Sequence, residues 1–451
     1  MGIGLHPGAE PVAKARAAGA GWPVRRRYAW LVFALSFALL LSDYMSRQVL
    51  NAVFPLLKDE WLLSDSKLGS LGGIVALMVG LLAFPLSVMA DRWGRVRMLL
   101  LAATLWSVAT VGCALATGYG QMFVGRLFVG VGEAAYGSVG IAVVLGIFPT
   151  AMRATLSGAF IAGGAFGSVL GVSIGGFVAD HFGWRWAFAV MGIFGLVLAV
   201  VYGVVVTEDR LRTKTGPTAG DRAAAGRPVR VRALLPRLFS SVSVISAYVG
   251  SGFQLLIAGA LITWLPSYFD RYYDMPSGQA GVAAGVFALL IGVGMIVGGI
   301  VSDRVSQVTA IRKWDVALIC SLGSLVLLTT AFLLPIGLPQ VLVLAVGSLL
   351  SAGTAGPAAA MVANLTPASV AATAFATLTL ANSLLGLAPG PALTGILADH
   401  LGLRGALQVL PLVAIAATAA FVIGRRFYDR DLRRLGAYAE SAEPRQPEQT
   451  A

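Results

Sequence analysis

Long apolar segments separated by short polar breaks recur from one end of the 451-residue chain to the other. None of these segments alternates with period two, and each is long enough to cross about 30 Å of hydrocarbon as a helix, which satisfies its own backbone polar groups. The pattern predicts an all-α integral membrane protein. Its twelve predicted transmembrane helices are residues 29–57, 68–90, 98–116, 121–148, 154–178, 185–206, 240–268, 277–301, 314–335, 338–364, 369–397 and 403–424.

The distribution of positive charge predicts the orientation of these helices. Most of the 33 Lys and Arg residues fall in the N-terminal segment, in alternate loops and in the C-terminal tail. The loops on the opposite side hold only Lys58, Lys67, Arg185, Arg271 and Arg404. Because positive residues accumulate in cytoplasmic loops, we expect both termini in the cytoplasm. We expect a multi-pass protein located in the bacterial inner (cell) membrane.

The longest polar stretch, residues 208–238, lies near the middle of the chain and divides it into two halves. We predict a cytoplasmic N-terminal segment (1–27), a six-helix bundle (28–207), a basic cytoplasmic linker (208–238), a second six-helix bundle (239–426) and a disordered cytoplasmic tail (427–451). The linker's basic residues suit a position beside anionic lipid headgroups.

Composition excludes several other classes of protein. With 57% hydrophobic and 12% charged residues, the chain is far more apolar than soluble domains are. The net charge of +12 is spread over many loops, so no nucleic-acid partner is expected. Cys113 and Cys320 lie in apolar runs and are expected to be packed thiols. The three histidines form no metal-ligand cluster, and no phosphate-binding loop GxxxxGK[ST] is present. We therefore expect neither an enzyme nor ATP-driven transport, with no catalytic residue, metal or cofactor.

The two halves contain an internal repeat. The segment GSVLGVSIGGFVADHFGWR (167–185) aligns without a gap with GLAPGPALTGILADHLGLR (386–404), and ADRWGR (90–95) corresponds to SDRVSQ (302–307). Two six-helix units in the same orientation form a substrate site near the membrane midplane, between halves that move against each other. The coinciding positions are Gly167/Gly386, Gly171/Gly390, Gly176/Gly395, Asp180/Asp399, His181/His400, Gly183/Gly402 and Arg185/Arg404.

These features resemble the major facilitator superfamily. ADRWGR resembles the superfamily's loop signature GxxxDRxGR, with Ser87 at the position of the first glycine, and the second copy keeps Gly299. The resemblance implies two pseudo-symmetric six-helix bundles and a cytoplasmic latch that breaks when the cytoplasmic side opens. The alternative is that these loop charges only anchor the topology. The predicted cytoplasmic gate residues are Asp91, Arg92, Arg95, Asp303 and Arg304.

Four charged residues lie inside predicted spans and away from the span ends: Asp43 and Arg47 in the first, and Arg126 and Glu133 in the fourth. Each charge at the bilayer centre costs about 2.5–3.5 kcal/mol, so such residues face a cavity and pair with one another. Asp43 and Arg47 are four apart and share a helix face, and Arg126 and Glu133 share a face with two glycines. Because the two helices run in opposite directions, the pairs are expected at matching depths in one cluster.

The second half contains no counterpart of these charges. Features present in both halves, such as Asp180 and His181, indicate scaffold, whereas unrepeated charges indicate function. We therefore predict Glu133, and after it Asp43, as the proton-titrating groups, with Arg47 and Arg126 as charge partners or substrate ligands. The alternative is a static ion-pair network between the two helices. The predicted cavity-lining residues are Ser46, Tyr44, Tyr136, Gln254, Trp264, Tyr268 and Asn382.

A narrower resemblance is to the spinster family of lysolipid and sphingolipid transporters. GRLFVGVGEAAYG (125–137) resembles its fourth-helix signature, and DYMSR (43–47) resembles its first-helix signature NYLDR. Tyr44 and Arg47 match that signature, Ser46 replaces its aspartate, and Asp43 supplies an acid three residues earlier. Anion:cation symporters of the same superfamily share a similar arginine and glutamate.

The resemblance implies a monomeric, proton-coupled secondary transporter of an organic amphiphile, driven by the proton gradient through rocker-switch alternating access. Its expected partners are the small-molecule substrate, protons and the lipid bilayer. An organic carboxylate:proton symporter is the alternative, and a non-transporting membrane sensor is the second alternative.

Overall fold

The computed structural model describes residues 24–149, 152–208, 241–307, 309–366 and 371–442, and these ranges are almost entirely helical. The helices are α1 (Arg26–Ala52), α2 (Phe54–Trp61), α3 (Asp65–Trp93), α4 (Arg95–Ala114), α5 (Tyr119–Ile147), α6 (Arg153–Phe182), α7 (Trp184–Val205), α8 (Val242–Tyr273), α9 (Ser277–Ser306), α10 (Arg312–Leu333), α11 (Leu338–Ala352), α12 (Ala355–Asn364), α13 (Ala371–Asn382), α14 (Pro389–Val409) and α15 (Val413–Ala442). A π-helical turn, Ser383–Leu387, joins α13 to α14.

Eleven helical stretches of the described chain are long and apolar enough to cross a membrane. They overlap all twelve predicted spans, because the last stretch, Thr373–Arg434, contains 62 residues and overlaps the final two predictions. The count of twelve separate spans stays a prediction. Gly402 interrupts this stretch with φ 71° and ψ 160°, which are not helical values. Most of the predicted N-terminal segment and nearly all of the predicted linker lie outside the described residues.

The tail is ordered further than the sequence predicts. Helix α15 continues to Ala442, so the predicted disorder from residue 427 begins too early, and residues 443–451 lie outside the described part. Asp431 explains part of this difference. Its carboxylate accepts hydrogen bonds from Ser241 Oγ (2.8 Å), Ser243 N (3.0 Å) and Ser243 Oγ (2.9 Å). The acid thus caps the first turn of α8 and fixes the extended end of α15 against it.

The repeated glycines allow close helix packing in the same way in both halves. Gly171 of α6 lies against the backbone of Met45 in α1, and Gly390 of α14 lies against the carbonyl of Leu256 in α8. A Cβ at either glycine would overlap this backbone, so a larger residue would force the helices apart. The internal repeat is therefore a repeated packing surface.

The far ends of α6 and α14 contact the opposite half. Helix α6 packs along α9, and α14 packs along α3. Asp180 Oδ2 accepts a hydrogen bond from Gly278 N (2.6 Å), while Asp399 accepts one from Asp65 N (2.7 Å) and one from Ser66 N (3.1 Å). Each repeated aspartate therefore caps the N-terminus of a helix in the other half, where the helix dipole favours negative charge. This matches the expectation that these acids belong to the scaffold.

Replacing either packing glycine with alanine is expected to destabilise the protein. Gly171→Ala and Gly390→Ala should each cost about 1–3 kcal/mol, because the backbone they face cannot move aside as a flexible side chain would. Thermal unfolding of the purified protein in detergent measures the effect. Gly112→Ala is the matched control, since a Cβ there has nothing within 4 Å. Equal melting temperatures for all three variants would contradict the packing role.

Candidate functional site

Arg126 of α5 is fixed to the backbone of neighbouring helices. Its side chain is buried, and its guanidinium donates from Nη1 to the carbonyl of Ser46 (3.0 Å), from Nη2 to that of Arg47 (3.0 Å) and from Nε to that of Leu71 (3.4 Å). These carbonyls belong to α1 and α3. Three backbone partners satisfy most of the guanidinium's donors, so Arg126 connects three helices at one point.

Arg47 and Glu133 form a looser pair beside Arg126. Arg47 Nη1 lies 3.8 Å from Glu133 Oε2, with the Arg47 side chain 23% exposed and that of Glu133 4% exposed. Asp43 is close enough for its charge to interact with both residues. The predicted cluster of two acids and two arginines on α1 and α5 is therefore present. Within the described chain, Asp43 Oδ1 and Glu133 Oε1 are buried without a hydrogen-bond partner.

A small cavity lies between the two halves at this cluster. Its volume of about 50 Å³ has room for a few water molecules but not for an organic substrate. One wall carries Arg47, Gln48, Asn51 and Arg126 of the first half. The second half supplies a wall with few polar groups, formed by Gly259, Ile262, Thr263, Leu387 and Pro391. The sequence analysis missed Gln48 and Asn51, although amides inside a predicted span, next to Arg47 and one turn from it, were a usable signal.

Three predicted lining residues of the first half are buried or packed against neighbouring helices. Ser46 is buried and contributes its backbone carbonyl to Arg126. The Tyr44 ring packs against Gly164 of α6. Tyr136 is buried, and its hydroxyl donates a hydrogen bond to the carbonyl of Ser36. None of the three is among the residues that line the small cavity.

Two of the predicted lining residues of the second half, Gln254 and Tyr268, are also separate from the charged cluster. Gln254 donates from Nε2 to Ser321 Oγ (2.6 Å) and accepts from Ser324 Oγ (3.2 Å) inside the second half. The Tyr268 hydroxyl accepts from Gln340 Nε2 (2.8 Å). These hydrogen bonds tie α8 to α10 and α11.

Trp264 lies at the boundary between the halves, and the segment that contains Asn382, α13 with the π-helical turn, packs against α3 of the first half. Trp264 Nε1 donates to the carbonyl of Pro391, a cavity-wall residue (3.0 Å), and its ring contacts Phe54 of the first half with centroids 5.3 Å apart. Asn382 is the last residue of α13 and directly precedes the π-helical turn.

Six hydrogen bonds between described residues of the two halves lie at one end of the bundle, where α1 and α6 end and α3 and α9 begin. We call this the closed end. Besides the two aspartate caps, Arg271 of α8 binds Asp65 of α3 through two contacts of 2.7 and 3.0 Å, and Asn51 Nδ2 donates to the carbonyl of Ile262 (3.5 Å). This end of the boundary between the halves is therefore sealed by charge-assisted contacts.

The loop signature lies at the opposite end, between α3 and α4. Gly94 has φ 102°, a conformation that residues with a Cβ rarely adopt, and it separates the two helices. The backbone N–H groups of Arg95 and Val96 donate to the carboxylate of Glu208 (3.1 and 3.2 Å). Glu208, which ends the described first half, therefore caps α4.

The predicted gate residues are at this same end. Arg92, Arg95, Asp303 and Arg304 are exposed near the junctions that follow α3 and α9, and the side chain of Asp91 lies outside the described part of the structure. A latch among them stays a prediction.

Comparison with known proteins identifies the family. The model of the Major Facilitator Superfamily matches residues 36–312 and, in an overlapping match, 272–447. The chain belongs to the major facilitator superfamily. It is similar to the hexuronate transporter of Bacillus subtilis, with 25% identity over 62% of this chain and 65% of that protein. It is also similar to the probable sphingolipid transporter spinster homolog 1 of Arabidopsis thaliana, with 25% identity over 72% of this chain and 71% of that protein.

The superfamily fold is also evident from solved structures. A bacterial homolog of the human lysosomal transporter Spinster, in an inward-facing and unoccupied conformation, superposes with a TM-score of 0.79 at 19% identity. The superposition covers 90% of this chain and 99% of that one. The expected spinster-like resemblance is confirmed. The chain spans about two thirds of the length of the hexuronate transporter.

Removing a cross-half cap should open the closed end of this superfamily member. Asp399→Ala leaves the N–H groups of Asp65 and Ser66 without their acceptor, and we expect a roughly tenfold larger open population, equivalent to about 1.4 kcal/mol. Spin labels are attached at Leu115→Cys and Leu338→Cys, which are exposed positions on opposite halves. Pulsed electron paramagnetic resonance then measures the distance between the two labels.

The labelling is selective because the native Cys113 and Cys320 are buried. Asp315→Ala is the control, since it removes an exposed ion pair with Arg425 that lies within the second half. An unchanged distance distribution in Asp399→Ala would show that the caps do not hold this end closed.

Proposed function

We propose that this protein is a proton-coupled secondary active transporter of an organic, amphiphilic compound, working by rocker-switch alternating access. The observation that carries the proposal is the Arg47–Glu133 pair, with Asp43 beside it, next to a cavity between the halves. Membership of the superfamily supports transport. We propose a monomer in a bacterial cell membrane, with the proton gradient as its driving force.

The proposed topology has twelve spans with both termini in the cytoplasm. The stretch Thr373–Arg434 would extend about 90 Å as one helix, three times the hydrocarbon thickness, whereas division at Gly402 gives two ordinary spans. With a cytoplasmic N-terminus, α1 runs outward and the closed end faces the outside. The exposed signature residues at the other end then form the cytoplasmic gate when that side closes.

The geometry of the two arginines favours proton exchange over a static network. Arg126 is fixed by three carbonyls, but Arg47 contacts Glu133 only at 3.8 Å and lines the cavity. When Glu133 takes up a proton, its attraction for Arg47 is lost, and the guanidinium becomes available to water or substrate. Glu133 is therefore the first proton carrier and Asp43 the second. The cycle links their protonation to the breaking of the closed-end contacts.

Two observations bear on the substrate. Similarity to the probable sphingolipid transporter of Arabidopsis thaliana supports an amphiphile. The second candidate is an organic carboxylate moved with protons, favoured by the two arginines and two amides on one cavity wall and by similarity to the hexuronate transporter. In that case Arg47 is the carboxylate ligand, because its guanidinium keeps donors that the backbone does not occupy.

Neutralising the proposed proton carrier should uncouple transport from the pH gradient. In proteoliposomes, Glu133→Gln is expected to lose at least tenfold of its gradient-driven accumulation while keeping substrate exchange at zero gradient, because exchange needs no net proton movement. Glu60→Gln is the matched control on the surface. The hydrogen bond from the Trp184 indole lowers the pKa of Glu60, so this residue stays charged near neutral pH.

Two results would contradict this proposal. If Glu133→Gln responds to the gradient as steeply as the wild type, the proton-carrier role is wrong. If no compound moves across the membrane in the wild type, the non-transporting sensor is favoured.

A ligand screen separates the two substrate classes. Lysolipids should raise the melting temperature of the wild type under the leading proposal, whereas hexuronates or aromatic acids should raise it under the second. Arg47→Gln is expected to abolish the increase in melting temperature caused by carboxylates. The increase caused by lysolipids should be much less affected. Arg425→Gln, at an exposed ion pair, is the control. Stabilisation by carboxylates that survives Arg47→Gln would exclude this arginine as their ligand.

A further inference from the structure

A second, larger recess opens on the apolar surface of the helix bundle. It has a volume of about 340 Å³ and is lined by α3 and Phe123 of the first half and by the α13–α14 region of the second. From Ser70 to Leu77 it extends about 10 Å along α3, or two helical turns. The surface around it is exposed and apolar, including Val124, Phe128 and Leu393, as expected for a surface in contact with lipid. We call this recess the seam groove.

One mouth of the seam groove carries a positive charge. Ser70, a lining residue, shares a hydrogen bond of 2.8 Å with the Tyr119 hydroxyl, and Lys67 Nζ lies 5.6 Å from the Tyr119 ring centroid. The Tyr119 ring in turn lies 5.8 Å from that of Phe123 inside the groove. The side chain of Lys67 is exposed. A polar and cationic rim thus continues directly into an apolar channel.

The groove and the charged cavity lie on two sides of one thin wall. Gly72 and Leu387 line the cavity, while the next residues in sequence, Gly73 and Ala388, line the groove. A Cβ at Gly73 would overlap the carbonyl of Ala388, so the wall has no space for a side chain at position 73. The groove therefore exists only while α3 and α14 are in contact, as they are with the closed end sealed.

We propose that the seam groove is a binding site for a membrane phospholipid, whose phosphate binds at Lys67 and whose acyl chain fills the groove. The cationic rim selects the phosphate, and the apolar lining selects the chain. The site draws on both halves, so an occupied groove stabilises the state in which they meet. Lipid composition would thereby bias the transport cycle from outside the substrate pathway.

The test measures lipid binding directly and does not depend on transport. Full-length protein in detergent is delipidated and titrated with phosphatidylglycerol, and native mass spectrometry reports the bound lipid. Ala392→Phe, which fills the groove, is expected to weaken binding at least tenfold. Leu393→Phe is the matched control. Leu393 is the next residue after Ala392, but its side chain is exposed and does not line the groove. Leu384→Trp is a second filling variant at an exposed lining position.

The headgroup is tested separately. Lys67→Gln should weaken phosphatidylglycerol binding about fivefold, as expected for one basic residue near a lipid phosphate, whereas Lys313→Gln at the other end of the bundle should not. In the spin-labelled protein, phosphatidylglycerol should increase the fraction of molecules in which the closed end is sealed. Ala392→Phe should remove this response.

Three results would overturn the proposal. Ala392→Phe and Leu384→Trp could bind phosphatidylglycerol as tightly as the wild type does. Leu393→Phe could lose as much phosphatidylglycerol binding as Ala392→Phe does, or the protein could bind single-chain amphiphiles but not phosphatidylglycerol.

Discussion

The packing of the first half depends on satisfying the donors of a guanidinium that is buried between helices. Arg126 solves this problem by donating to three backbone carbonyls of α1 and α3, which makes a charged side chain the fixed point of the first half. A buried arginine left unpaired would cost several kcal/mol. Because its partners are backbone atoms, they remain in place whatever the protonation state of the nearby acids. In the proposed transport cycle the neighbouring acids can therefore change protonation state without releasing Arg126.

A symmetric scaffold surrounds this asymmetric charge. In both halves the repeated glycines bring one helix against the first helix of its own half, and the repeated aspartate beyond them caps a helix of the other half. Duplicated features thus define how the halves pack and separate. The charges of α1 and α5 have no copy in the middle of α8 or in α11, so the proposed proton chemistry is confined to one half, whereas both halves supply the packing contacts.

The sequence predicted what depends on local pattern and missed what depends on distant contacts. Hydrophobic runs defined the spans, and the cost of charge in lipid brought Asp43, Arg47, Arg126 and Glu133 together. Helical periodicity could not reveal that Arg126 binds carbonyls instead of an acid, since its partners lie 55 to 80 residues away in sequence. The role of Asp399 depends similarly on a contact across 334 residues.

Arg47 is the residue through which these parts communicate. It lies in α1 with two of the three carbonyls that bind Arg126, its side chain pairs with Glu133, and it lines the cavity against the second half. The cavity is too small for an organic substrate while the closed end is sealed, so under the proposed function the halves must move before substrate can enter. A movement that separates α1 from α8 changes the surroundings of Arg47, whereas Arg126 stays bound to three carbonyls of its own half. The proposed coupling therefore needs no long pathway, because one side chain contacts both the proposed proton carrier, Glu133, and the cavity between the halves.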